Sequence, residues 1–252
     1  MIVALFTAKG SPGATSSALA LTAVWSRPAV LLDADPSGSD LVYRCATVGG
    51  GPVAAVPNIL GLASSLRGDR STQVESWTQR LGCGVDLVAG VTSPGQARGM
   101  ADLWPSVASA ATASEVDVIV DLGRLHRQSP TVALVAAAAL VIPVLAATLS
   151  SLTHTREVLK DLPVRAGSRT TPLLVGRART AAADGRDVDD VMAAAGLMTA
   201  ATVHLPFDHP GLCALQDGAN PAGRSRASQL VRAARSAANQ LLDDAGLAAA
   251  AR

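Results

Sequence analysis

The chain of 252 residues carries a formal net charge of +1, with 49% hydrophobic and 16% charged residues. This composition excludes an intrinsically disordered chain, and the length suits one domain with a sizeable core. The near-neutral charge gives no overall case for nucleic acid or an anionic membrane as a partner, although it does not exclude a local basic patch. Aromatic residues make up only 2%, so we expect a core built mainly from Ala, Val and Leu.

Cys45, Cys83 and Cys213 are scattered, without the close pairing of a zinc or redox motif. We expect buried thiols in a reducing cytoplasm rather than a disulfide framework. Lys9 and a glycine turn interrupt the first apolar run, which is not the pattern of a secretory signal peptide. The longest later apolar run, 131–149, contains a proline and many alanines, so we interpret it as a helix end that leads into a buried strand. The expected localisation is cytoplasmic.

The first element in chain order is an apolar run at 2–6, which predicts a buried strand. A turn rich in Gly, Ser and Pro follows at 9–13, and apolar residues then recur at helical spacing. A strand, a glycine turn and a helix N-terminus form a phosphate cradle, because free amides and the positive end of the helix dipole face one point. This stretch therefore predicts a phosphate-binding loop.

A second apolar run, at 28–33, ends at Asp33 and is followed by Asp35 and a Pro-Ser-Gly turn. Two acids that follow a buried strand, one helix after a phosphate loop, favour a role in nucleotide chemistry. The alternative is structural, because Asp35 could simply cap an ordinary Asp-Pro-Ser-Gly turn.

The middle of the chain contains no chemical motif that we can name. We expect a helix from Asn58, its N-cap, to Leu66, and a second short helix at 74–81. A strand at 85–88 and a helix over 93–107 follow.

The run at 116–121 is an apolar strand that ends in Asp121, the Walker B pattern. In that pattern the acid holds a magnesium-bound water beside a triphosphate. Arg124 lies just beyond the strand. We expect it to form a surface ion pair, with a phosphate or a partner surface as the alternatives.

Further buried strands are expected at 140–144 and 172–175, with one helix after Thr148 and another over 188–195, capped by Asp187. A loop at 203–210 then contains two histidines, but no third ligand shares their spacing, so we expect ordinary loop histidines rather than a metal site.

A terminal helix is predicted over 225–242, with apolar residues at helical spacing. A basic cluster lies in and beside it: Arg224, Arg226, Arg232 and Arg235. We expect this helix to pack against the sheet with its arginines in solvent, and non-specific DNA contact is the alternative. Binding to a membrane is not expected, because Phe and Trp anchors and a Lys-rich face are missing.

Taken in order, these segments resemble the MinD/ParA family of partitioning and positioning ATPases, whose deviant Walker A loop reads K-G-G-x-G-K-S/T-S/T. In this chain residues 9–16 read KGSPGATS. Lys9 matches the signature lysine and Thr15 the magnesium-binding hydroxyl. Ala14 stands where the family has its phosphate-gripping lysine.

The resemblance implies ATP and Mg²⁺ as cofactors and assigns roles to several residues. Asp35 would polarise the attacking water, and Lys9 would cross a homodimer interface to the partner's nucleotide. Mg²⁺ would be held by Thr15 and Asp121. The nucleotide itself would be bound by the loop and by a late segment near the base: Gly10, Ser11, Gly13, Ala14, Thr15, Ser16, Pro206 and Asp208.

The alternation of strands and helices predicts an α/β fold, with a mostly parallel central sheet and helices on both faces. The resemblance makes this a P-loop NTPase-like fold of MinD/ParA type, and we expect one domain over 1–252.

The loop of this chain is degenerate at three positions. Ala14 removes a charge-assisted hydrogen bond worth about 1.5–3 kcal/mol, Pro12 removes one amide, and Ser11 replaces a glycine. One hypothesis is a nucleotide-dependent dimerising switch with weak or absent hydrolysis, which positions or regulates a protein partner or cargo. The alternative is a pseudo-ATPase, an interaction scaffold that no longer binds nucleotide.

Overall fold

The computed structural model describes residues 1–223 and 227–250, and within the last helix it describes side chains as far as 246. The strands of the described chain are β1 (Ile2–Thr7), β2 (Ala29–Asp33), β3 (Gln79–Arg80), β4 (Asp86–Val88), β5 (Asp117–Arg124), β6 (Leu140–Ala146), β7 (Arg169–Thr170), β8 (Leu173–Gly176) and β9 (Val203–Pro206). Its α-helices are α1 (Ala14–Val24), α2 (Leu41–Arg44), α3 (Ile59–Gly68), α4 (Pro94–Gly99), α5 (Trp104–Ala113), α6 (Val132–Ala137), α7 (Leu149–Asp161), α8 (Ala181–Ala194), α9 (His209–Gln216) and α10 (Gln229–Ala250).

These strands form one sheet in the order β3-β4-β2-β5-β1-β6-β8-β9, and β7 pairs with β6. All described pairings are parallel except the one between β3 and β4 at the edge. The predicted fold class, an α/β fold with a mostly parallel sheet covered by helices, is therefore confirmed.

The central strand β1 has no exposed face, and all of its residues are buried. Its side chains alternate between two apolar clusters, since Ile2, Ala4 and Phe6 join one cluster and Val3 and Leu5 join the other. The first cluster is closed mainly by α3, α5 and α6, and the second by α1, α9 and α10. Parallel strands that are buried on both faces give continuous apolar runs, which explains why these strands could be recognised in the sequence.

The terminal helix α10 packs on α1 and β9, as expected. It buries Val231, Ala234 and Leu241 in the second cluster. Arg232 is exposed, and Arg235 donates a hydrogen bond to the Pro221 carbonyl at 3.3 Å. The other two arginines of the predicted basic cluster, Arg224 and Arg226, lie outside the described residues.

Several predicted boundaries were wrong. The helix predicted at 74–81 is a 3₁₀ turn, Val74–Trp77, followed by edge strand β3. The helix predicted over 93–107 is divided after Gly99 into α4 and α5. Pro105 explains the new start, because proline suits the first turn of a helix and disrupts its interior.

Helix α8 begins seven residues earlier than predicted, at Ala181, so Thr180 and not Asp187 is its N-cap residue. Helix α10 begins at Gln229, four residues after the predicted start. The loop predicted at 203–210 contains strand β9 and the first two residues of helix α9, which was not otherwise predicted. The Asn58 cap is confirmed, because its Oδ1 accepts a hydrogen bond from the Gly61 amide at 2.9 Å.

Among the described helices, none combines the length and the apolar character needed to cross a membrane. Cys45 and Cys83 are buried free thiols, as expected, and Cys213 is partly exposed.

Asp117, at the start of β5, ties the C-terminal end of α1 to the sheet. Its buried carboxylate accepts a hydrogen bond from Trp25 Nε1 at 2.9 Å and pairs with Arg27 Nε at 3.2 Å. Trp25 is the C-cap residue of α1, so this contact fixes how the helix lies on the sheet.

We expect Asp117→Ala to lower the free energy of unfolding by about 1–3 kcal/mol, because it leaves the buried indole N–H without its acceptor. Urea unfolding monitored by circular dichroism measures this. The control is Asp190→Ala on the exposed face of α8, which should change stability by less than about 0.5 kcal/mol. Equal effects of the two substitutions would contradict the anchoring role.

Candidate functional site

The loop between β1 and α1 is shaped by two glycines with left-handed backbone, Gly10 (φ 75°) and Gly13 (φ 103°). Gly13 is the N-cap residue of α1, and no side chain caps this helix end. The first helical hydrogen bond runs from the Ser17 amide to the Gly13 carbonyl at 2.8 Å, so the amides of 13–16 have no helical acceptor. An uncapped helix N-terminus of this kind can bind an anion.

Two loop residues differ in their surroundings. Lys9 is exposed, and its Nζ lies 3.1 Å from Nε2 of His154 on α7. The Ala14 side chain is buried in the apolar cluster beneath α1. The first turn of α1 therefore carries no cation of its own.

The ends of β2 and β5 bring two predicted acids side by side. Asp33 and Asp121 are paired in the register of these parallel strands, and both are buried. Asp33 accepts a hydrogen bond from the Ser39 hydroxyl and another from the Asp35 amide, at 3.3 Å. Burial first, and then repulsion from Asp121, raise the pKa of Asp33 to about 8.

Asp121 and Thr15, the two predicted magnesium ligands, are brought together. Burial raises the pKa of Asp121, and the nearby Thr15 hydroxyl partly offsets this shift. Asp121 Oδ1 accepts a hydrogen bond from the Gly123 amide at 3.0 Å. Its Oδ2 is buried and has no hydrogen-bond partner within the described chain.

Asp35 lies against the end of β5. A Cβ atom at Gly123 would overlap the Asp35 carboxyl group, and the left-handed backbone at Gly123 (φ 56°) also favours glycine. Asp35 Oδ1 accepts a hydrogen bond from the Ser37 amide at 2.8 Å, so it does cap its own turn. Burial raises the pKa of this carboxyl as well. The capping role and the position beside Asp121 are therefore compatible.

This group of three carboxylates, Asp33, Asp35 and Asp121, lacks compensating positive charge. None of the ion pairs in the described chain involves them. Mg²⁺ prefers such oxygen ligands, and it commonly takes one or two carboxylates together with phosphate oxygens and waters. No group of three His, Cys, Asp or Glu side chains among the described residues could hold a metal alone. The unpartnered Asp121 Oδ2 and the nearby Thr15 hydroxyl are oxygen donors of the kind that Mg²⁺ takes together with phosphate oxygens and waters.

Two clefts flank the loop, and Phe207 lines both. The cleft on the α1 side has a volume of about 220 Å³, and the cleft on the α7 side about 340 Å³. The first is mostly apolar and is lined by residues that include Pro12, Ser16, Leu205 and Pro206. Phe207 is 68% exposed, so an apolar ring borders both clefts beside the loop.

Asp208 also lines the first cleft, but its carboxylate holds two helices in place. Oδ1 accepts from the Gly211 amide in α9, and Oδ2 accepts from the Leu230 amide in α10, each at 3.0 Å. These amides, Leu230 first, lower the pKa of Asp208. Both oxygens are therefore engaged within the fold, and the predicted contact with a nucleotide stays a prediction for this loop.

Four residues of the site were not among the predicted site residues: Ser39, Gly123, His154 and Phe207. Phe207 had a signal, because it stands between two residues that were singled out. The other three are recognised only when separate segments come together.

No family model matches the chain, and no curated protein matches it at a significant level. Solved structures do match. A ParA family ATPase from Chlorobium tepidum has a TM-score of 0.69 at 17% identity, over 94% of this chain and 97% of that one. The septum site-determining protein MinD of Pyrococcus horikoshii, complexed with Mg-ADP, has a TM-score of 0.68 at 18% identity, over 98% of both chains.

The chain has the ParA/MinD fold. A third match is the MinC:MinD cell division protein complex of Aquifex aeolicus, with a TM-score of 0.64 at 14% identity, over 96% of this chain and 95% of that chain.

The buried acids make stability depend on pH. Because the pKa values of Asp33 and Asp121 are higher in the folded chain than in the unfolded one, the folded state binds more protons. Without magnesium or nucleotide, the free energy of unfolding should therefore fall as pH rises from about 4 to about 8.

We expect Asp33→Asn to flatten this dependence by up to about 1.4 kcal/mol per pH unit. Urea unfolding at several pH values in this window, with a chelator present, measures the slope. Asp190→Asn, an exposed acid on α8, is the control and should leave the slope unchanged. An unchanged slope in Asp33→Asn would show that Asp33 ionises normally in the folded chain.

Proposed function

We propose that this chain is an ATP- and Mg²⁺-binding switch that dimerises with nucleotide bound, hydrolyses ATP slowly or not at all, and positions or regulates a protein partner or cargo. The proposal rests on the proximity of three carboxyl groups to Thr15: Asp33, Asp35 and Asp121. No basic side chain forms an ion pair with any of them in the described chain. Burying carboxylates is costly unless a cation compensates, and a magnesium–nucleotide complex would supply it.

The roles within this proposal follow from position. The loop amides would bind the phosphates, along the residues Gly10, Ser11, Gly13, Ala14, Thr15 and Ser16. Thr15 and Asp121 would hold Mg²⁺, which would neutralise charge between the outer phosphates. Asp35 would orient water. Pro206, Phe207 and the loop at Asp208 would face the base across the apolar cleft.

Two matched proteins support the choice of ligand and partner. MinD of P. horikoshii was solved with Mg-ADP, and MinD of A. aeolicus was solved in complex with MinC. For this chain we propose a homodimer as well, in which Lys9 leaves His154 and reaches the partner's nucleotide. We propose one cytoplasmic domain over 1–252, with non-specific DNA contact through the basic cluster as the alternative use of its terminal region: Arg224, Arg226, Arg232 and Arg235.

We expect weak or absent hydrolysis because of two residues in and beside the loop that joins β1 to α1. Ala14 offers only a buried methyl group where a lysine would contact the phosphates, and Pro12 offers no amide. The same two residues favour a second candidate, a pseudo-ATPase scaffold that keeps the fold without binding nucleotide.

Calorimetric titration with ATP and Mg²⁺ tests the proposal. We expect the natural protein to bind, and Asp121→Asn to bind about tenfold to a hundredfold more weakly. The difference should vanish when Mg²⁺ is chelated, because Asp121 acts through the metal. Asp190→Asn is again the matched control.

The pseudo-ATPase scaffold predicts a different result in the same titration. The natural protein would show no ATP binding, and the Ala14→Lys variant would bind ATP. Thermal unfolding of each variant confirms that it is folded, because a lysine at this buried position could also disturb α1.

Dimerisation is tested by light scattering after size exclusion, with and without ATP and Mg²⁺. We expect Lys9→Ala to stay monomeric with nucleotide, while His154→Ala dimerises, because His154 holds Lys9 only within its own chain. Identical masses for Lys9→Ala and the natural protein in both conditions would rule out this role for Lys9.

A further inference from the structure

The site needs a cation that its loop does not supply. Triphosphates are bound in P-loop proteins by loop amides together with a lysine, and here Ala14 provides no charge. Lys9 is nearby, but its ammonium group contacts His154. The remaining candidate on the adjoining strand ends is Arg124.

Arg124 is held beside the start of the loop by strand pairing. It is the last residue of β5, and its register partner is Thr7, the last residue of β1. The amide of the next residue, Leu125, donates to the Thr7 carbonyl at 3.0 Å. The main chain of Arg124 is therefore fixed where the phosphate loop begins.

The residue before it, Gly123, is fixed between two acids of the site. Its amide donates to Asp121 Oδ1, and its missing side chain makes room for the Asp35 carboxyl group. Arg124 is therefore the next residue after a glycine that contacts both Asp121, the proposed magnesium ligand, and Asp35, the proposed water-orienting acid.

The guanidinium of Arg124 is not used by the fold. The side chain is exposed, and in the described chain it makes neither an ion pair nor a hydrogen bond. The surface ion pair expected from the sequence is thus absent there. By contrast, Arg27, Arg44, Arg80 and Arg156 all pair with acids.

We propose that Arg124 is a phosphate-binding residue, which contacts the outermost phosphate of the nucleotide and takes over the charge that Ala14 lacks. A guanidinium suits this task, because its planar N–H groups bind two phosphate oxygens at once. We choose the outermost phosphate as the target, because Arg124 follows Asp121 on the same strand, whereas the free amides at the start of α1 would bind the inner phosphates. The inference rests on the proposed binding of Mg-ATP.

Titration of the full chain with Mg-ATP and, separately, Mg-ADP tests it. We expect Arg124→Gln to weaken ATP binding about tenfold to a hundredfold and ADP binding less than about threefold. Arg124→Lys should recover part of the loss. The control is Arg127→Gln, an exposed arginine three residues further on, which should change ATP binding less than about twofold.

A double substitution tests whether Arg124 replaces the lysine. If both cations serve one phosphate, the loss caused by Arg124→Gln should be several times smaller when Ala14→Lys is already present. Equal losses in the two backgrounds would refute this replacement.

The outcomes separate the two proposals. If the natural protein binds Mg-ATP and Arg124→Gln binds it equally well, the role of Arg124 is wrong while the proposed function stands. If Arg124→Gln weakens ATP and ADP equally, Arg124 does not contact the outermost phosphate. If the natural protein binds neither nucleotide, both proposals fall.

Discussion

The parallel pairing of β5 with both β1 and β2 is the constraint on which the site depends. Because carboxyl ends of parallel strands meet at one edge, it places Asp121 between the phosphate loop on one side and Asp33 on the other. The apolar residues of β5 are buried on both faces, so a shift of its register would disrupt the packing of two cores and move Asp121 to the opposite face of the sheet. The stability of the sheet and the positions of the acids therefore have the same physical origin.

The site combines three carboxyl groups with a helix start that carries no cation, and both features bear on the same proposed ligand. Burial, and to a smaller extent repulsion from neighbouring carboxylates, raises the pKa of Asp33 and Asp121, so ionising them weakens the unliganded fold. A ligand that brings a divalent cation relieves this cost, which couples binding to stability. If a metal–phosphate complex binds as proposed, Ala14 in place of a lysine would weaken the contact with phosphate, while the buried carboxylates would still favour the metal.

Sequence reasoning predicted the buried strands and the acids at their ends, because apolar runs and terminal carboxylates are local patterns. It failed where structure depends on distant partners. The segment 74–81 contains the edge strand β3 because β4 pairs with it, and no local pattern signals this. Likewise, the contact between Gly123 and Asp35 and the bond from Leu230 to Asp208 join segments that are far apart in the chain.

The two bonds made by Asp208 have a mechanical consequence. One carboxylate fastens the first turns of α9 and α10 together, and the loop that carries it forms a wall of the apolar cleft. The start of the terminal helix and that wall of the cleft are therefore joined through a single side chain, so a substitution at Asp208 would disturb both together.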